Sequence, residues 1–293
     1  MLYVGVACVA AVLALRAAQT FRSERSSFFP RRGPVPLPLD SGVPGLRAVR
    51  FAGAGGTWLG GWWASGTNGA ALVFGHGSGS DRRNLLPEAR LLAAAGYGVL
   101  LFDFPGHGES DGRVAWGISE RAAYAGALGF LQTQPEVEPA RLGGVGFSMG
   151  AYVLTQVAAA DSRLRAVALL GPMSDAVEQT LFESRRWGPL TQGPALLALR
   201  LSPFDPRDQR PIDVVANIAP RAVLLVAGRR DTIVPPAMAR ALFAAAGNPK
   251  ELYELPEAGH GGYLAADPAG YPQRLRSFFD RHLLRGSAAA IAR

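Results

Sequence analysis

Cysteine is almost absent from this chain. Cys8 is the only one in 293 residues, which removes a disulfide framework, a thiolate metal cluster and a thiol nucleophile from consideration. Histidine is scarce as well, with 4, and no metal-ligand spacing occurs, so neither a metal nor a cofactor is expected. Lysine is nearly missing: Lys250 is the single exception among 30 basic residues, which exceed the 23 acidic ones to give a formal charge of +7. The arginines are scattered rather than gathered into one block, so the charge reads as coding bias and no nucleic-acid partner is expected. Nothing in the composition speaks to oligomeric state.

Apolar residues are plentiful, at 48%, enough for one α/β domain with a sizeable core. Residues 2–15, LYVGVACVAAVLAL, are continuously apolar and are followed by Arg16, Arg22, Arg25, Arg31 and Arg32. The run is shorter than the ~20 residues that span a bilayer, but extension to Phe21 with Arg16 snorkelling makes up the length. A cleaved signal peptide and a helix packed on the domain compete with this reading. The signal peptide lacks a positive residue before its apolar core and a small-x-small site after it. We therefore read 1–22 as an uncleaved membrane anchor, with the arginines behind it placing the domain on the cytoplasmic side. Residues 23–45, rich in Ser, Pro and Arg, read as an extended tether, the folded domain as 46–285, and 286–293 as a frayed tail.

Within the domain, short apolar runs alternate with Ala/Leu-rich helical stretches. Leu46–Phe51 and Thr57–Ala64, split by GAGG, predict an antiparallel pair. Ala70–Phe74, Gly98–Phe102, Arg141–Phe147, Leu164–Leu170, Ala222–Ala227 and Glu251–Leu255 predict buried strands, with helices between them. This is an α/β pattern: a mostly parallel central sheet with helices on both faces and loops at the strands' carboxyl ends for a site. The alternation lapses over 171–220, a stretch too long for a plain connection, which we read as a small helical lid carrying Arg185, Arg186 and Trp187.

The sharpest local signal is GFSMG, 146–150. An apolar strand enters it and an Ala-rich helix leaves it, so Ser148 sits on a turn that exposes its hydroxyl at a helix N-terminus. GESDG, 108–112, has the same spacing around Ser110 but follows Pro105 among acidic residues, with no helix behind it, and reads as a loop. A serine hydroxyl needs a base, and the base an acid to hold its tautomer. His260 follows one strand end and Asp231 the preceding one. Asp175 is an alternative acid, Asp103 reads as fixing its own loop, His76 and His107 as bracing turns, and His282 as a helix-face residue.

The chain resembles the alpha/beta hydrolases over about 46–285. The likeness rests on HGSGS at 76–80, DFPGHGESDG at 103–112, GFSMG at 146–150, GRRDTIVP at 228–235 and AGHGGY at 258–263. Within that superfamily it is most similar to monoacylglycerol-lipase-like and serine-aminopeptidase-like hydrolases, some of which carry an N-terminal anchor. The resemblance implies an oxyanion hole from the backbone N–H groups of Ser78 and Met149. It also implies hydrolysis of a small-molecule, lipid-like carboxylic ester through an acyl-enzyme on Ser148. A thioesterase or small-peptide hydrolase on the same residues, and a membrane-tethered scaffold without activity, are the alternatives.

Overall fold

The computed structural model describes residues 14–22, 29–30, 32–53, 55–185, 188, 191–203 and 205–284. Eight strands form one sheet in the order β1-β2-β4-β3-β5-β6-β7-β8. They are β1 Arg47–Ala52, β2 Trp58–Ala64, β3 Ala71–Gly75, β4 Gly98–Phe102, β5 Leu142–Phe147, β6 Leu164–Leu170, β7 Ala222–Gly228 and β8 Lys250–Leu255. The β1–β2 and β2–β4 pairs are antiparallel and the rest parallel, as the sequence pattern predicts.

Helices cover both faces. They are α1 Leu86–Ala94, α2 Ile118–Gln132, α3 Met149–Ala160, α4 Ala176–Ser184, α5 Gln192–Arg200, α6 Pro236–Ala245 and α7 Gly270–Phe279. Successive strand residues point to opposite faces. Val73 and Leu100 accordingly pack with Tyr124, Leu128 and Val157 of α2 and α3, while Leu72, Phe74 and Leu101 pack with Leu92 of α1 and Phe278 of α7. A strand buried on both faces has no polar alternation, which is why β3 and β4 read as unbroken apolar runs.

The N-terminal region departs from the sequence reading twice. Among the described residues no helix is long and apolar enough to cross a membrane, and the expected anchor with its cytoplasm-facing domain is corrected accordingly. Most of the apolar run, including Cys8, lies in 1–13, outside the described residues; the helical part at 14–22 carries Arg16, Gln19, Thr20 and Arg22. The tether is corrected as well. Val35 and Val43 are 3% and 4% exposed and join the core cluster of Trp62 and Leu72. The Gly33 N–H donates to the Gly108 carbonyl at 3.1 Å, and the Val35 N–H to Glu109 Oε1 at 3.1 Å. Core contacts therefore begin well before Leu46.

Residues 171–220 contain helices and no strand among the described residues. Asp175 caps α4 by accepting from the Val177 and Glu178 N–H groups at 2.7 and 2.9 Å. The far limb is held by Gln156, whose Nε2 donates to the Gln209 carbonyl at 3.0 Å, and by an Arg121–Asp208 pair at 2.7 Å.

Candidate active site

Strands β3, β5, β6, β7 and β8 are parallel, so their carboxyl ends and following loops share one edge of the sheet. Ser148 lies between β5 and α3 with φ 53° and ψ −116°, a conformation that costs a non-glycine residue roughly 1–3 kcal/mol. The turn closes only because its flanks lack side chains. A Cβ on Gly146 would lie 2.5 Å from the Gly150 carbonyl oxygen, and one on Gly150 only 2.0 Å from that of Gly75. The Ser148 N–H donates to the Leu170 carbonyl at 2.8 Å, and its Oγ makes no cap bond to the helix it precedes.

That hydroxyl meets His260 instead. Ser148 Oγ is 2.9 Å from His260 Nε2, and His260 Nδ1 is 2.7 Å from Asp231 Oδ2. Asp231 is 6% exposed, and its other oxygen accepts the Ile233 and Val234 N–H groups at 2.8 Å each, which fixes the carboxylate plane. With Nδ1–H donated to Asp231, Nε2 is left to accept the Ser148 proton. The Phe147 ring packs on the imidazole at 4.9 Å between centroids. The structure thus brings Ser148, His260 and Asp231 into one hydrogen-bonded line across 112 residues of sequence. Asp175 is occupied elsewhere, capping α4 and pairing with Arg210 at 3.2 Å.

Ser110 belongs to no such line. Its hydroxyl is buried, donates to the Asp103 carbonyl at 2.6 Å and accepts the Gly60 N–H at 3.0 Å, stitching a loop to β2. Asp103 accepts the Arg82 and Glu109 N–H groups at 2.8 and 2.9 Å and pairs with the buried Arg82 guanidinium. Burial pushes the Asp103 carboxyl up while Arg82 draws it down.

The two turn histidines are buried and neutral. His76 donates from Nδ1 to the Gly77 carbonyl at 2.7 Å and accepts the Phe104 N–H at Nε2 at 3.0 Å. Burial, with His107 beside it, lowers its pKa to about 3; burial alone leads the drop of His107 to about 4. His76 thereby pins the loop that carries Ser78 to the end of β4. The Gly77 N–H is further held by Asn84 Oδ1 at 2.9 Å. His282 lies against Phe278 at the end of α7, away from this edge of the sheet.

Ser148, His260 and Ser78 border a cavity of about 380 Å³. Met149, whose side chain is buried, is the first residue of α3, so its N–H belongs to the helix end that has no intrahelical acceptor. Trp116, Phe147, Met173, Leu199 and Ile233 supply apolar lining, and Gln179, Thr180 and Glu183 supply polar lining. Trp116 shares with Ser148 a positive φ, 39°, unusual outside glycine. Asn84, Gln179 and Glu183 were not singled out from sequence, since nothing distinguishes a lining polar residue from a solvated one until the fold is closed. Arg185 is exposed at the end of α4; Arg186 and Trp187 lie outside the described residues. Among the described residues no group of three or more His, Cys, Asp or Glu is placed to hold a metal ion.

A family model described as the alpha/beta hydrolase family matches residues 72–271. An uncharacterized protein of Mycobacterium tuberculosis (strain CDC 1551 / Oshkosh) is 34% identical over 246 residues, covering 82% of this chain and 80% of its own. Among solved structures, an esterase of Pyrococcus furiosus superposes with a TM-score of 0.72 at 24% identity, over 87% of this chain and 99% of that one. A puromycin-hydrolyzing peptidase of Mycobacterium tuberculosis does so with a TM-score of 0.69 at 21% identity, over 85% of this chain and 41% of that one. At these identities the two structures speak to the fold.

Proposed function

The chain belongs to the alpha/beta hydrolase family, and from that premise we propose that it is a serine hydrolase cleaving carboxylic esters through an acyl-enzyme on Ser148. The observation that carries the reading is the line Asp231–His260–Ser148, at 2.7 and 2.9 Å, ending at a cavity. The Ser148 oxygen attacks the ester carbonyl as its proton passes to His260 Nε2. The tetrahedral oxyanion is received by the backbone N–H groups of Met149 and Ser78, the first aided by the positive end of α3. His260 returns the proton to the departing alkoxide, then takes one from water, whose oxygen attacks the acyl carbon; collapse releases acid and restores Ser148. Asp231 holds the Nδ1–H tautomer and stabilises the transient imidazolium.

The apolar lining favours a hydrocarbon part in the substrate. A cavity of about 380 Å³ lies near the lower end of the roughly 300–1,000 Å³ of small-ligand clefts, so a short or medium chain fits better than a long one. Residues 171–220 act as the lid, because α4 and α5 contribute Ala176, Gln179, Thr180, Glu183 and Leu199 to that lining. A fluorophosphonate probe tests the reading. Labelling that disappears in Ser148→Ala and persists in Ser110→Ala is expected, together with turnover of p-nitrophenyl esters. Folded protein that takes no label would leave a scaffold without activity.

A further inference from the structure

One wall of the cavity bears a hydroxyl that the protein itself does not use. Ala176, Gln179 and Thr180 are spaced i, i+3, i+4 along α4, which puts them on one helix face, and all three line the cavity. The Gln179 amide is taken up within the wall, its Nε2 lying 2.8 Å from Glu183 Oε2 and 3.3 Å from the Ile233 carbonyl. Thr180 is different. It is 3% exposed, and a buried helical threonine commonly turns its hydroxyl onto the carbonyl one turn back. Thr155 in α3 does so, donating to the Ala151 carbonyl at 2.8 Å, and Thr20 donates to the Arg16 carbonyl at 3.0 Å. Thr180 makes no such bond, nor any other hydrogen bond among the described residues. Its oxygen is not one of the side-chain atoms sealed in protein without a partner, so it opens on the cavity that the residue lines. A hydrocarbon chain filling that cavity displaces solvent from the hydroxyl and leaves it unpaired, which is costly, whereas an oxygen in the ligand gives it an acceptor.

We propose that Thr180 is a specificity residue whose hydroxyl donates to an ether, keto or hydroxyl oxygen on the acyl or alkyl part of the ester, so that the site prefers oxygenated esters to plain hydrocarbon ones. This rests on the reading of Ser148 as nucleophile and names the substrate class of that same site. Trp116, Met173, Leu199 and Ile233 take the carbon skeleton, and Thr180 takes the oxygen set within it. Ser148 and Thr180 border one cavity of about 380 Å³, where a chain of a few atoms reaches from one to the other.

Moving one oxygen along chains of constant length tests it on either side of the ester bond. p-Nitrophenyl hexanoate is compared with p-nitrophenyl propoxyacetate, 3-ethoxypropanoate and 4-methoxybutanoate, and butyl butyrate with 2-methoxyethyl butyrate. Each kcat/KM is divided by the rate of hydroxide hydrolysis of the same ester, which removes the electronic effect of the added oxygen. At least one oxygenated member should then lead its hydrocarbon isostere by about tenfold, the effect of one buried hydroxyl paired rather than unpaired. Thr180→Val, which keeps the branched shape, and Thr180→Ala should each erase that lead while leaving fluorophosphonate labelling of Ser148 and turnover of the hydrocarbon esters in place, and Thr180→Ser should retain part of it. Turnover of the hydrocarbon esters by the wild-type protein with no lead at any oxygen position, or a lead that survives loss of the hydroxyl, overturns the proposal alone. Absence of both labelling and turnover in the folded wild-type protein overturns the reading of Ser148, and this proposal with it.

Discussion

The loops at the carboxyl edge of the sheet and the helical segment 171–220 meet at one cavity but are held in different ways. In the loops, backbone does the holding. Gly146 and Gly150 sit where any Cβ would strike a carbonyl oxygen, and Asp231 is fixed by two N–H groups of its own loop. His76 bridges two loop segments through a carbonyl and an N–H. In the helical segment side chains do it: Arg210 pairs with Asp175 and Asp213, Arg121 with Asp208, and the buried Gln156 holds the Gln209 carbonyl. The difference teaches where tolerance lies. Reacting atoms need placement within a fraction of an ångström, which backbone geometry imposes, whereas a wall that under the proposed function sorts substrates can rest on weaker, exchangeable contacts.

Four measurements press on that contrast. Asp231→Asn should leave the protein folded and lower kcat by about 10⁴, because the amide favours the wrong imidazole tautomer. Asp175→Asn, in which asparagine still caps α4, should cost no more than a few-fold; similar losses in the two variants would erase the distinction between the regions. Next in size is a pair of glycine substitutions. Gly150→Ala places a methyl 2.0 Å from the Gly75 carbonyl oxygen and should lower activity about a hundredfold, with a fall in stability of roughly 1–3 kcal/mol. Gly193→Ala in α5 meets nothing within 4 Å and should be neutral or stabilising by about 0.4–1 kcal/mol. Thermal melts beside ester turnover would expose either error.

The third concerns the buried histidines of the loops. An unfolded chain protonates them near the ordinary value of 6.5, whereas the folded protein keeps His107 neutral to about 4 and His76 to about 3. Because folding depresses both values, the stability they contribute is fully present above pH 6.5 and drains away as pH falls through 4 and then 3. Urea midpoints between pH 7.5 and 4.5 should decline, and His107→Asn, whose amide can still donate to the Pro105 carbonyl, should flatten the decline. An unchanged slope would mean that the loop is not held by a neutral ring. The smallest effect is expected from Arg121→Ala. The pair it breaks is 23% and 35% exposed on its two sides, so the stability change should be under about 1 kcal/mol. Relative rates between short and medium esters should nevertheless shift, and a uniform loss across all of them would place this limb in the chemistry instead.

Much of the architecture was open to a reader of the sequence. Unbroken apolar runs such as ALVFG and GVLLF admit few readings other than doubly covered strands, and the elbow around Ser148 announces itself through its glycines. The choice of Ser148 over Ser110 followed from the helix behind the first and the proline and acids around the second. Other features gave no such signal. Val35 lies in a Pro-rich stretch without periodicity, so its burial against the sheet was invisible and the segment read as a tether. The apolar N-terminal run was read as an anchor from its hydrophobicity and the arginines that follow it, with Arg16 taken as snorkelling and Arg22 as a flanking charge. Gln179 and Glu183 drew no reading from the sequence, because a helical stripe discloses which residues share a face but not what that face meets.

Sequence alone determined the α/β order, the strand ends that carry Ser148, Asp231 and His260, and the sharp turn at Ser148, because periodicity and glycine placement act over a few residues of backbone. The tertiary structure decided which acid reaches His260, which serine meets that histidine, that Val35 belongs to the core, and that a carboxylate lines the cavity. Each of these depends on distances of about 3 Å between side chains far apart in the chain, and only the closed sheet with its helices in place sets distances on that scale.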